Sequence, residues 1–223
     1  MPETDRFRGW PAAAFDFYAR LELDNSRAFW QANKSVYEDA VKAPFTALSS
    51  AIERRYGPLH LFRPYRDVRF AKDKQPYKTA AGAVTESAGG ATFYVQVSAT
   101  GLFAGTGMYH LASDQLERYR GALLDERSGA AIVKAVESVR RAGYEIGAME
   151  SLKSALRGVP KDHPRIELLR MKGLTTGRAF PLAKWMHTPK ALERITGVWD
   201  AAKPVNAWLE RHVGPSQLAP DEW

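Results

Sequence analysis

The chain has 223 residues, of which 45% are hydrophobic and 26% charged, ordinary values for a globular fold with a core large enough to need no covalent staples. It has no cysteine, which excludes disulfides, thiolate metal sites and cysteine nucleophiles, and no apolar run approaches the roughly eighteen residues of a helical membrane span. The net charge is +7 and the pI about 9.6, a balance that favours a polyanionic partner such as nucleic acid, phosphate or an anionic surface.

Met1 to Arg6 carries Glu3 and Asp5 where a secretory leader has basic residues, and no apolar stretch follows, so a cytoplasmic protein without a membrane partner is expected. Pro11 opens a helix in the favoured position for proline. Phe15, Tyr18, Ala19 and Leu21 then recur at helical spacing to about Glu22. Asp24 or Asn25 is expected to cap a second helix that begins near Ser26, with Phe29, Trp30, Ala32, Val36, Tyr37 and Ala40 on its apolar side. Pro44 marks a break or a new start, and helix runs from Phe45 to Tyr56, where Gly57-Pro58 stops it. Between His60 and Phe70, Leu61, Val68 and Phe70 suggest short extended segments, interrupted by Pro64. Residues 71–91, with Gly82, Gly89 and Gly90 and few large apolar positions, read as a long surface loop.

Thr92 to Ser98 alternates, with Phe93, Val95 and Val97 on one face and Tyr94 and Gln96 on the other. Ala99-Thr100-Gly101 turns it into Leu102 to Tyr109, the strongest hairpin signal in the chain. Helices are predicted over 112–125 and 129–141, a short strand over Tyr144 to Ile146, and a short helix over Arg165 to Arg170. The tail from Pro189 to Val213 reads as two helices broken near Pro204. These elements predict one α+β domain over 1–223, a small, mostly antiparallel sheet with helices packed against it.

The positive excess is concentrated. Residues 63–78 hold six basic residues (Arg63, Arg66, Arg69, Lys72, Lys74 and Lys78) against Asp67 and Asp73. Residues 153–172 hold another six (Lys153, Arg157, Lys161, Arg165, Arg170 and Lys172) against Asp162 and Glu167. Each window carries +4, which leaves −1 for the rest of the chain. In the first window an extended backbone would put Arg66, Val68 and Phe70 on one face and Asp67 with Arg69 on the other. An Asp67–Arg69 pair would orient a guanidinium toward a carboxylate or phosphate, with tyrosine hydroxyls nearby as neutral donors. Structural ion pairs on an exposed strand edge would produce the same sequence. Asp67 or Asp73 could also serve as a base, and nothing in the sequence chooses between that role and ion pairing.

Other motifs exclude more than they assign. Gly105-x-Gly107 lacks the third glycine and the following helix of a dinucleotide fingerprint, and neither a phosphate loop nor a G-x-S-x-G elbow occurs, so no cofactor is expected. His60, His110, His163, His187 and His212 are scattered, which disfavours a metal site; His163, before Pro164, stands at a helix start.

Four stretches together resemble a known family. They are Asp24-Asn25-Ser26-Arg27-Ala28-Phe29-Trp30 with Tyr37, the run Arg66-Asp67-Val68-Arg69-Phe70-Ala71-Lys72-Asp73-Lys74-Gln75-Pro76-Tyr77-Lys78, the hairpin end Gly105, Gly107 and Tyr109, and Asp162-His163-Pro164 with Leu168-Leu169-Arg170, Lys172 and Gly173. The chain is similar along its full length to the family known as domain of unknown function 2461, and the Arg66–Lys78 run is the most specific part of the match. Where that pattern commonly has an asparagine before Asn25, this chain has Asp24, which also suits a helix cap. The resemblance implies no established activity, substrate or cofactor. It favours an ordered polar cluster over a casual charge run at Arg66, Asp67, Arg69, Lys72, Asp73, Lys74, Tyr77 and Lys78. The expected function is a site for an anionic or phosphorylated small molecule, built from these residues beside Tyr109, with Arg170 and Lys172 as further contributors. The alternatives are a nucleic-acid module that contacts phosphates without reading sequence, and a structural or interaction protein with no small ligand.

Overall fold

The computed structural model describes residues 6–67, 69, 74–154 and 156–218. Helices α1 (Ala12–Leu23), α2 (Arg27–Val36) and α3 (Ala43–Tyr56) come first, followed by β1 (His60–Leu61), β2 (Ala80–Glu86), β3 (Thr92–Ser98) and β4 (Gly101–Met108). Then come α4 (Ser113–Leu124), α5 (Glu126–Arg141), β5 (Glu145–Gly147), α6 (Ile166–Arg170), β6 (Leu174–Pro181), α7 (Lys190–Ala201) and α8 (Lys203–His212). The strands form an open antiparallel sheet in the order β1-β2-β3-β4-β6-β5, so the protein is α+β as its patterning predicts. At the sheet margins His60 opposes Val84 and Ile146 opposes Thr176. Among the described residues no helix is long and apolar enough to cross a membrane.

Contacts divide the chain into two compact units. The first comprises Met1–Thr85, Tyr94–Ala104 and Ala179–Thr196; the second comprises Glu86–Phe93, Gly105–Arg178 and Gly197–Trp223.

The first unit is built on aromatic packing. Trp10, Phe15, Phe17, Tyr18, Trp30 and Phe45 are all buried, and Trp10 packs edge-on against both Phe7 and Phe45 at 5.1 and 5.0 Å. Ser26, rather than Asp24 or Asn25, caps α2: its hydroxyl accepts the Phe29 N–H at 3.1 Å. Pro44 does not break the helical run. A π-helical turn, Tyr37–Lys42, joins α2 to α3, and the Ala43 N–H reaches back five residues to the Glu38 carbonyl. The wider turn precedes a proline that has no N–H to donate, so the chain stays helical through it. The long loop expected over 71–91 is also corrected, because seven of its residues form β2. Small side chains hide this strand from any periodicity test. Ala81 and Ala83 are buried, and a Cβ at Gly82 would lie 2.5 Å from the Tyr94 hydroxyl, so the ring of the neighbouring strand occupies the glycine's empty place.

The second unit packs α4, α5, α6 and α8 around Tyr119, Leu123, Ile132, Val136, Val139, Leu169 and Leu209. Asp125 caps α5 by accepting the Ser128 N–H at 2.8 Å, so the helix begins at Glu126, three residues before the expected start. Strand β6 has no counterpart in the predicted elements, since Gly177 and Arg178 follow the β-branched pair Thr175-Thr176 and no apolar alternation runs through Leu174–Pro181. Gly107 serves this packing: its φ is +133°, and a Cβ there would meet the Leu174 carbonyl at 2.2 Å. Gly107 therefore admits a neighbouring backbone, a common role for glycine in a strand.

Candidate anion-binding loop and its aromatic anchor

The paired chains of β1 and β2 continue past β1. Phe62 N–H donates to the Gly82 carbonyl (2.9 Å), Tyr65 opposes Tyr77, Arg66 N–H donates to Pro76 O (2.9 Å) and Lys78 N–H donates to Pro64 O (2.8 Å). Both prolines lie where the ladder uses their carbonyl and asks for no N–H. Residues 67–75, with Arg69, Lys72 and Lys74, lie in the sequence between the two paired segments of this ladder.

Its far end is anchored by side chains of the Asp24–Trp30 stretch. Asn25 donates its Nδ2 to the Tyr77 carbonyl at 3.1 Å and accepts the Tyr77 N–H on Oδ1 at 3.0 Å. A carboxamide carries a donor and an acceptor side by side, so Asn25 pairs with Tyr77 as one residue of a neighbouring strand would. The Tyr77 ring, 3% exposed, stacks on Trp30 with centroids 4.3 Å apart and planes 6° from parallel. Tyr37 packs on the same indole at 4.9 Å, and Tyr65 closes the group at 5.4 Å from Tyr77 and 6.0 Å from Trp30. Burial pushes the Tyr77 phenol above the usual tyrosine range; Tyr65 adds to this and the Arg27 guanidinium opposes it. Burial, the Glu38 carboxylate and Tyr65 push Tyr37 up to about 12. Both phenols remain protonated near neutrality.

Beside this anchor lies the charged pair the sequence suggests. Asp67 accepts Arg69 Nε at 3.0 Å and Nη2 at 2.6 Å, and its Oδ1 also accepts the Arg69 N–H at 3.2 Å. The hydrogen bonds from Arg69 hold the Asp67 carboxyl below the usual range, and the same bond raises the guanidinium. The Arg69 side chain is 78% exposed, and its Nη1 edge is bonded to none of the described residues. Arg66 is half-buried, Lys74 exposed, and the Lys78 ammonium stands 5.3 Å from the centroid of Phe62. Lys72 and Asp73 lie outside the described residues, as do Val68 and Phe70, on which the expected division of faces rests.

The remaining expected site residues belong to the second unit. Tyr109 is 58% exposed. Arg170 donates Nε to the Leu152 carbonyl and Nη2 to the Lys153 carbonyl, both at 2.7 Å, while Lys172 pairs with Glu150 at 2.9 Å. These contacts tie 150–153 to 170–172, where Ser151 opposes Met171. His163 accepts the Arg165 N–H on Nδ1 at 3.1 Å, a contact that shapes the turn into α6. Among the described residues no three His, Asp or Glu side chains gather as metal ligands would.

Of the Arg66–Lys78 run the described residues are Arg66, Asp67, Arg69 and Lys74 to Lys78, and sequence reasoning missed Asn25, Trp30, Tyr37 and Tyr65 as the supports of Tyr77. A signal was present: Trp30 and Tyr37 are seven residues apart, two helical turns on one face, and Asn25 stands just before that face begins. The structure thus explains why the first two motif stretches occur together, since one holds the other in place. A search among curated proteins returned no match. The family model described as conserved hypothetical protein (DUF2461) matches residues 13–208, and the chain belongs to that family.

Proposed function

We propose that the 66–78 segment is the receiving element of a binding site for an anionic or phosphorylated small ligand. The observation that carries this reading is the Asp67–Arg69 pair: one edge of the guanidinium is held by the carboxylate, and the other faces solvent. A planar fork fixed in this way suits the paired oxygens of a phosphate or carboxylate better than a mobile ammonium does. Lys72, Lys74 and Lys78 add positive charge from the same short stretch, and the Tyr77 anchor keeps its base rigid.

The test is thermal unfolding of the full chain during titration with inorganic phosphate, small carboxylates and nucleotides, repeated with Arg69→Ala. A ligand that binds only the folded chain raises the midpoint by mass action. Stabilisation of the wild type that is lost in Arg69→Ala is expected, with the unliganded midpoint unchanged. Equal stabilisation of both chains, or of neither, overturns the reading. The nucleic-acid alternative predicts instead an affinity for DNA or RNA that falls steeply with salt.

A further inference from the structure

We infer, resting on the anion-binding reading above, that the anionic group is carried on a planar aromatic or heteroaromatic ring and that Tyr65 is the residue on which this ring stacks. The ligand class is then a ring phosphate or ring carboxylate of mononucleotide size.

A tyrosine half in water is by itself ordinary. Tyr65 differs in how completely its position is determined. It is 50% exposed, yet the two rings against its inner side, Trp30 and Tyr77, are 2% and 3% exposed and stacked on each other. Its backbone is held through the bridge to Tyr77 and through the next residue's N–H to the Pro76 carbonyl. A ring fixed before the ligand arrives loses little freedom on binding, so more of the stacking energy appears as affinity.

Among the described rings on the same ladder that are exposed, His60 and Phe62 pack on each other, and Phe62 already has the Lys78 ammonium near its face. That leaves Tyr65 as the platform next to the charged pair. Tyr65 and Arg69 are four residues apart, so at most about 14 Å separates their Cα atoms. One mononucleotide-sized molecule, met by two long side chains, spans such a distance. A single platform also argues for one ring per ligand, since single-stranded nucleic acid is gripped by successive stacked bases.

The experiment is calorimetric titration of the full chain with a nucleoside 5′-monophosphate, ribose 5-phosphate and inorganic phosphate, and with oligonucleotides of increasing length. It is repeated for Tyr65→Leu and Tyr65→Phe, with each variant's unfolding midpoint recorded. The monophosphate should bind wild type at least about tenfold tighter than ribose 5-phosphate, the scale of one base–aromatic stack. Tyr65→Leu should erase that preference while leaving ribose 5-phosphate affinity in place, and Tyr65→Phe should keep it. Should the phosphates bind with no gain from the ring, or Tyr65→Leu retain the gain, the ring inference falls and the anion reading stands. Should none of the three bind, both fall. Affinity that climbs with oligonucleotide length overturns the small-ligand class.

Discussion

Two stretches of this chain carry the same charge, and their best-defined arginines, Arg170 and Arg69, meet different kinds of partner. Residues 153–172 and 63–78 each contribute +4. In the former, Arg170 gives two guanidinium N–H groups to backbone carbonyls, and Lys172 closes on Glu150, which the ammonium holds below the usual carboxylate range. Charge there is spent on joining two pieces of backbone. In the latter, the acid that meets Arg69 is two residues away in the same segment, so the pair ties no distant parts together and instead aims a cation outward. Partners, not counts, separate a cation that joins backbone segments from one that faces solvent.

The sharpest way to break this contrast is to remove each arginine in turn. Arg170→Ala deletes two charge-assisted bonds and leaves two carbonyls without donors, which should cost about 2–3 kcal/mol in a denaturant titration. Arg69→Ala should leave the midpoint where it is. A stable Arg170→Ala chain would erase the distinction.

Asn25 offers a smaller effect and sharpens the account of the anchor. Asn25→Ala removes both bonds to Tyr77 and should cost about 1–2 kcal/mol. The readout is the unfolding midpoint together with hydrogen exchange at the Tyr77 amide, which should quicken. Asn25→Asp keeps the acceptor but loses the donor, so it should destabilise as well, though by less.

The smallest effect concerns pH. Tyr37 is raised from 10.0 to about 12, so above pH 10 the unfolded chain gives up this proton before the folded one does. The stability tied to the protonated phenol is present in full below about pH 10 and declines as pH climbs toward 12. Wild type should therefore lose about 1 kcal/mol more than Tyr37→Phe between pH 10 and 11, measured by urea titration. Parallel losses in the two chains would show that the phenol titrates as it does in water.

By itself the sequence determined the parts whose signals are local. Helices α1, α4, α7 and α8, the β3–β4 hairpin and the stop at Gly57 follow from side chains three, four or two residues apart, and the density of charge over 63–78 is plain to count. Tertiary structure alone decided the rest. Strands β2 and β6 are made of small or polar residues whose fit depends on a neighbouring strand, as Gly82 depends on Tyr94 and Gly107 on Leu174. Asn25 looks like a helix cap until Tyr77, 52 positions later, claims its amide. Arg170 looks like a ligand-binding cation until carbonyls 17 and 18 positions earlier accept hydrogen bonds from its Nη2 and Nε. A polar side chain's role is set by the strongest partner within hydrogen-bonding distance, and when that partner is far along the chain only the fold can bring it there.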